Sequence, residues 1–365
     1  MNAAGFSGSY RSDDVCFLLK RLALASFVPI PEKERLIQSG TRHYSEMLSP
    51  ESLPSPRYLE VFRAAVEANR PQMARDCLAL AGLIAARRPG PVTLVSLARA
   101  GTPVGVILKH LIARVFGRSC RHYSVSIIRD RGIDAVALRH ILAQGHAPES
   151  IVFVDGWTGK GVISRELGKA VGEFNARHGV TIDSGLYVLS DLAGSAACAA
   201  SRADYLIPSS ILNATVSGLV SRSILNEAIG ADDFHGCVYY DRFEPNDQSR
   251  QFADGIVEAA LALAAGAMPE PAPVDRARAG AISSGFMRAA MQAYGIVDAN
   301  LIKPGIGEAT RVLLRRAPRL LILRDPGAPD VAHLKLLAAE KNVPLALDPD
   351  LPYQAVSLIR SALDG

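Results

Sequence analysis

An aspartate, a tryptophan, a threonine and a lysine stand among three glycines where an apolar run ends. Asp155, Gly156, Trp157, Thr158, Gly159, Lys160 and Gly161 follow Ile151, Val152, Phe153 and Val154. The apolar run predicts a strand, and the residues from Val162 onward predict a helix. A strand feeding a tight loop that opens a helix is an anion site. Amide N–H groups point outward at the helix start, and the helix dipole favours negative charge there. Glycine lets the backbone approach a phosphate closely; Thr158 adds a hydroxyl and Lys160 a cation. The plainer alternative is a strand-to-helix turn that contains glycines. A second loop repeats the arrangement, with Arg99, Ala100, Gly101 and Thr102 between a strand-like run at 92–97 and a helix from 104. Two such loops on neighbouring strands would grip two phosphate groups of one ligand; otherwise the second is a surface turn with a solvated arginine. Between them, the segment around Arg129, Arg131, Gly132 and Asp134 suits a mobile flap over phosphates, or a charged surface turn. Trp157, the only tryptophan, is placed to stack on a base or to pack against the sheet edge.

These loops need a scaffold, and the chain supplies one. Strand-like runs at 92–97, 123–128, 151–154 and 185–189 alternate with helical runs at 104–115, 135–144 and 165–178. That order implies an α/β fold, a mostly parallel sheet with helices on both faces. Ligands of such sheets bind beyond the carboxyl ends of the strands. Four parts are expected: a helical extension over 1–88, the α/β domain over 89–265, a Pro/Ala linker over 266–282 and a small α/β sandwich over 283–365. The last part is read as helices at 286–294, 307–316, 331–341 and 353–363, with strands at 320–323 and 345–347.

Composition narrows the function classes. The chain has 365 residues, 49% hydrophobic and 21% charged, with a formal charge of +4. This is an ordinary well-cored protein, mildly basic, compatible with anionic ligands but not demanding nucleic acid. Five widely spaced cysteines without a C-x-x-C fit a reducing cytosol and carry no zinc signature. Arg11, Asp13 and Asp14 precede any apolar run, so no secretory signal is expected, and no stretch is long enough to span a membrane. A cytoplasmic location is expected.

The two loops resemble those of the phosphoribosyltransferases. The resemblance implies that Asp155 contacts ribose hydroxyls as the catalytic carboxylate and that residues 156–161 bind the 5-phosphate. Residues 99–102 would bind pyrophosphate. It also implies Mg²⁺ brought in with the substrate, and a homodimer as one option; the chain's own metal-ligating residues stay unassigned, and no zinc, nicotinamide or flavin is expected. The second acid usual in that family is Gly156 here. Further stretches, 8–11, 43–47, 122–124, 154–161 and 207–212, resemble the StiP family over roughly residues 8–265. That family occurs in tellurium-resistance and stress gene clusters, and its members carry two labels, cysteine protease and phosphoribosyltransferase-like enzyme. The expected activity is therefore making or breaking a glycosidic bond on a phosphorylated ribose or nucleotide. The alternatives are a cysteine protease or a non-catalytic nucleotide- and RNA-binding regulator. For the protease, Cys198 is the candidate nucleophile, and the competing fate for a cysteine among alanines is a small core residue.

Residues 283–365 resemble the Pelota-type RNA-binding domain. The resemblance implies that Gly305, Gly307, Glu308, Thr310 and Arg311 form an RNA-reading helix start, with Gly307 in place of the family's Asn. Arg311, Arg315, Arg316, Arg319 and Arg324 follow without an intervening acid. They predict either a phosphate-binding patch for structured RNA or a solvated helix face.

Overall fold

The computed structural model describes residues 5–23, 27–266, 268–271 and 275–361. The strands β1 (Cys16–Leu18) and β2 (Lys20–Arg21) come first, then helices α1 (Ile30–Gln38) and α2 (Pro56–Arg87). Next come β3 (Val92–Ala98), α3 (Gly101–Arg114), β4 (Cys120–Ile128), β5 (Gly132–Ile133), α4 (Ala135–Ala143) and β6 (Ile151–Thr158). They are followed by α5 (Val162–His178), β7 (Leu186–Asp191), β8 (Cys198–Ser201), β9 (Gly236–Cys237) and α6 (Ser249–Ala264).

The central sheet runs β1-β4-β3-β6-β7-β8, with β5 added antiparallel on β4 and every other pair parallel. Its strands β3, β6 and β7 read as mainly apolar runs without strict alternation because both faces are covered. Leu94, Val152 and Val154 turn to one face, against Leu80 and Ile84 of α2, Val104 and Ile107 of α3 and Ile256 of α6. Val95 and Phe153 turn to the other, against Leu138 of α4 and Leu167 and Val171 of α5. Strand order reverses at β3, which has β4 on one side and β6 on the other. A crevice at such a switch point is where open α/β sheets bind ligands.

The C-terminal unit comprises α7 (Arg276–Ala293), β10 (Ile302–Pro304), α8 (Ile306–Arg315), β11 (Pro318–Leu323), α9 (Ala332–Glu340), β12 (Leu345–Leu347) and β13 (Ala355–Ile359). Its sheet, β10-β13-β11-β12, is mixed, since β13 is antiparallel to both neighbours while β11 and β12 are parallel.

Several expectations need correcting. The helix expected over 353–363 is instead β13, fully buried between β10 and β11. A strand buried on both faces has no polar alternation and cannot be told from a helix by period; positions 362 and 363 lie outside the described residues. The segment 1–88 is not only helical: β1 pairs with β4 in the central sheet. The linker expected over 266–282 is entered by α7, which starts at Arg276 with Asp275 accepting from the Arg278 N–H at 2.9 Å. Residues 267 and 272–274 of that linker lie outside the described residues. Finally, β6 runs through Thr158, so Asp155 sits in a strand and only residues 159–161 form the turn into α5.

Candidate functional site

Both glycine-bearing loops lie at the carboxyl ends of the adjacent strands β3 and β6. They touch: a Cβ built on Gly101 would stand 2.6 Å from the Val154 carbonyl oxygen and 3.3 Å from Asp155 Oδ1. Gly161 takes a left-handed φ of 70° to start α5. The C-terminal unit then covers this corner, and a cavity of about 820 Å³ lies at the seam.

Not every predicted residue faces the cavity with free groups. The Thr158 hydroxyl donates to Asp191 Oδ1 at 2.5 Å and accepts from the Ala193 N–H at 3.1 Å. Asp191, fully buried, also accepts from the Ser195 and Ala196 N–H groups. Thr158 thus shapes the 191–196 turn. The Thr102 hydroxyl is turned into the sheet, 2.7 Å from Ser124 Oγ, and Ala100 is the residue that precedes α3. Arg99 is buried, paired with Glu51 at 2.7 Å and donating to the Val220 carbonyl at 2.8 Å. Of the expected flap, only Arg129 lines the cavity. Arg131 is exposed beside Glu46. Asp134 caps α4 by accepting from the Val136 and Ala137 N–H groups.

The residues expected to read RNA are turned inward. Arg311 lies over Trp157 and donates to Glu308 at 2.7 Å. A Cβ on Gly307 would meet the Trp157 ring at 2.3 Å, and one on Gly159 would meet Glu308 Cγ at 2.9 Å. Gly305 adopts φ 88° ahead of α8, whose first N–H, that of Ile306, donates to Asp204 at 3.0 Å. The buried Thr310 hydroxyl bonds the Ile306 carbonyl and His333. Arg315 donates to Asn213 at 2.7 Å, and Arg316 pairs with Glu34. The arginine run is therefore neither a solvated face nor an open patch at Arg311, Arg315 and Arg316.

The cavity is strongly cationic, with ten Lys and Arg against five Asp and Glu among its described lining residues. Sequence reading gave no role to four of the ten cations: Lys33, Arg222, Lys303 and Lys341. Lys33 and Arg222 come from segments without a loop motif, and only the fold brings them here. Burial holds Lys33 and Lys160 down to about 7, with neighbouring cations adding to the effect. Burial and nearby arginines push Arg315 well down and Arg222 to about 10. Lys160 nonetheless donates to the Ala299 carbonyl at 2.6 Å, stitching the two units together. Asp155 is pushed up to about 6 by burial, although Arg311 opposes this. Glu308 falls to about 2 because Arg311 and Lys303 outweigh its burial. Four residues that line the cavity each hold a buried polar atom with no hydrogen-bond partner: Arg99 Nε, Arg222 Nη1, Trp157 Nε1 and Ser49 Oγ.

Cys198 lies elsewhere. It opens β8, paired with Tyr187 near the start of β7, and burial pushes its thiol up. No cysteine is among the described lining residues of the cavity. The histidines bond other groups: His43 to Ser45, His110 to Asp14, His122 to Ser96, His146 to Thr93, His235 to Ser126 and His333 to Thr310. His140 and His178 pack on Phe234 and Phe174. Among the described residues, no three His, Cys, Asp or Glu side chains gather as a metal-binding group.

Residues 8–257 match the family described as tellurite-like stress resistance cysteine protease StiP. The chain belongs to the StiP family. Residues 281–361 match the PELOTA RNA binding domain. A StiP relative from Acinetobacter baylyi, named cysteine protease StiP, is 43% identical over 373 aligned positions, covering 99% of this chain and 96% of its own. That name conflicts with the phosphoribosyl transfer expected from the loops, and the transferase expectation does not stand. Among the described residues of this StiP-family chain, no helix is long and apolar enough to cross a membrane.

Proposed function

We propose that this StiP-family protein binds a phosphorylated, nucleotide-class anion in the cavity between its two units. The observation that carries the reading is a cavity with twice as many cations as acids, four of whose lining residues each hold a buried donor without a partner. Buried donors without acceptors are costly unless a ligand satisfies them. The ligand is expected to meet Arg99, Arg222 and Ser49 on one side and Lys160 at the turn into α5. Asp155, which lines the cavity, is expected to meet a Mg²⁺ that such a ligand carries on its phosphates. Five free thiols support a reducing, cytoplasmic setting.

Thiol peptidase activity is the second reading, favoured by the name of the Acinetobacter baylyi relative. It requires a thiolate beside an imidazole, and the histidine hydrogen bonds described above go to groups other than a thiol.

Titration calorimetry of the full chain with ADP and inorganic pyrophosphate, with and without Mg²⁺, tests the first reading. Saturable binding that weakens about tenfold or more in Arg222→Gln is expected. Absence of heat for both probes would end it. Casein hydrolysis that Cys198→Ala abolishes would establish the second.

A further inference from the structure

The lining of the cavity grades from buried residues to exposed ones, and two different parts of the chain build it. The unpartnered donors of Arg99, Arg222 and Ser49 belong to buried or partly buried groups. At the rim, Leu53 is 44% exposed, and Ser55, Glu340 and Lys341 are exposed as well. The C-terminal unit, which matches an RNA-binding domain, contributes Lys303, Arg311 and Arg315 to the same lining. A domain of that class has thus placed its cations over a pocket rather than on an open face.

The volume of about 820 Å³ lies towards the upper end of the roughly 300–1,000 Å³ typical of small-molecule pockets. Of the four aromatic rings that line it, Tyr44 and Trp157 lie beside lining guanidinium groups. Tyr44 lies 5.4 Å from Arg129 and 5.6 Å from Arg222, and Trp157 lies 4.4 Å from Arg311. Aromatic rings bracketed by arginines are what single-stranded nucleic acid uses for stacking and backbone contact. The buried arginines of the lining ask for more charge than an internal phosphodiester supplies. A phosphodiester has one charge and a strand on both sides, whereas a terminal phosphate carries about −2 and three free oxygens. A chain end can set its terminal phosphate against the buried cations while the rest of the strand leaves past the exposed lining residues.

We propose that the occupant is the phosphorylated end of a single-stranded RNA. Its terminal phosphate sits among Arg99, Arg222 and Ser49, and its strand leaves between Leu53 and Lys341. The inference rests on the reading of the cavity as an anion site and narrows its ligand.

The test uses the full chain and a short fluorescent oligoribonucleotide in three forms: 5′-phosphorylated, 3′-phosphorylated and unphosphorylated. Fluorescence anisotropy is expected to show one phosphorylated form binding about tenfold or more tightly than the unphosphorylated strand. ADP is expected to displace it, and Lys160→Gln and Arg222→Gln to erase the preference. Two variants on different elements guard against loss of fold in one of them. Equal affinity for all three forms would overturn the inference, as would RNA that stays bound while ADP fills the cavity. In either case ADP binding itself would leave the anion site standing. If neither ADP nor pyrophosphate binds, the anion site and its RNA occupant fall together.

Discussion

The guanidinium of Arg311 lies over the indole of Trp157, 4.4 Å from the ring centroid, and joins the C-terminal unit to the end of β6. The same guanidinium holds Glu308 at 2.7 Å. Arg311→Gln removes the cation–π contact and leaves Glu308 without its main partner, a loss of about 1–3 kcal/mol. Trp157 is the only tryptophan, so its fluorescence reports the seam directly. The emission is expected to shift red and its urea midpoint to fall. An unchanged spectrum would mean that this contact does not form in solution.

Gly307 is needed for closeness rather than for backbone freedom. A methyl group there would stand 2.3 Å from the Trp157 ring. Gly307→Ala should destabilise by about 1–3 kcal/mol through overpacking. Combining it with Trp157→Phe, which opens space, should cost less than the two single changes added together. Strict additivity in thermal melts would remove the steric explanation.

Thr158 acts on the buried Asp191 carboxylate. Losing that hydroxyl leaves the carboxylate and the Ala193 N–H each short of a partner. Thr158→Val is expected to cost about 1–3 kcal/mol, whereas Thr158→Ser keeps the hydroxyl and stays near the parent. If both variants melt alike, the hydroxyl is not what holds the 191–196 turn.

The cavity lysines make binding pH-dependent. Lys33 and Lys160 are held to about 7, against an ordinary 10.5, chiefly by burial. In the free protein the unfolded chain therefore binds more protons between these values, and folding becomes more favourable as pH rises from about 7 towards 10.5. An anion in the cavity reverses the preference and restores the charge. At about pH 8, pyrophosphate binding should take up protons, and affinity should fall as pH rises. Calorimetry in buffers of different ionisation enthalpy measures the uptake. Proton release instead would contradict the placement of these lysines against the ligand.

The sequence by itself determined the local chemistry. Apolar runs ahead of Arg99 and Asp155 dictated the strands and the helices that follow them, because these depend on neighbours along the chain, although β6 continues through Thr158 and leaves only 159–161 as the turn. The alternation of strands and helices likewise dictated a parallel sheet, and hence the edge at which the loops emerge. Only tertiary packing decided which polar groups stay available. The hydroxyls of Thr102 and Thr158 looked like ligand donors but are bound to Ser124 and Asp191. Arg311, Arg315 and Arg316 looked like a surface patch but face a seam. Lys33 and Arg222 reach the cavity from 189 positions apart in the chain. The physical reason is that a side chain's hydrogen-bonding capacity is shared with whatever the fold brings beside it, and that neighbour is set by long-range packing rather than by spacing.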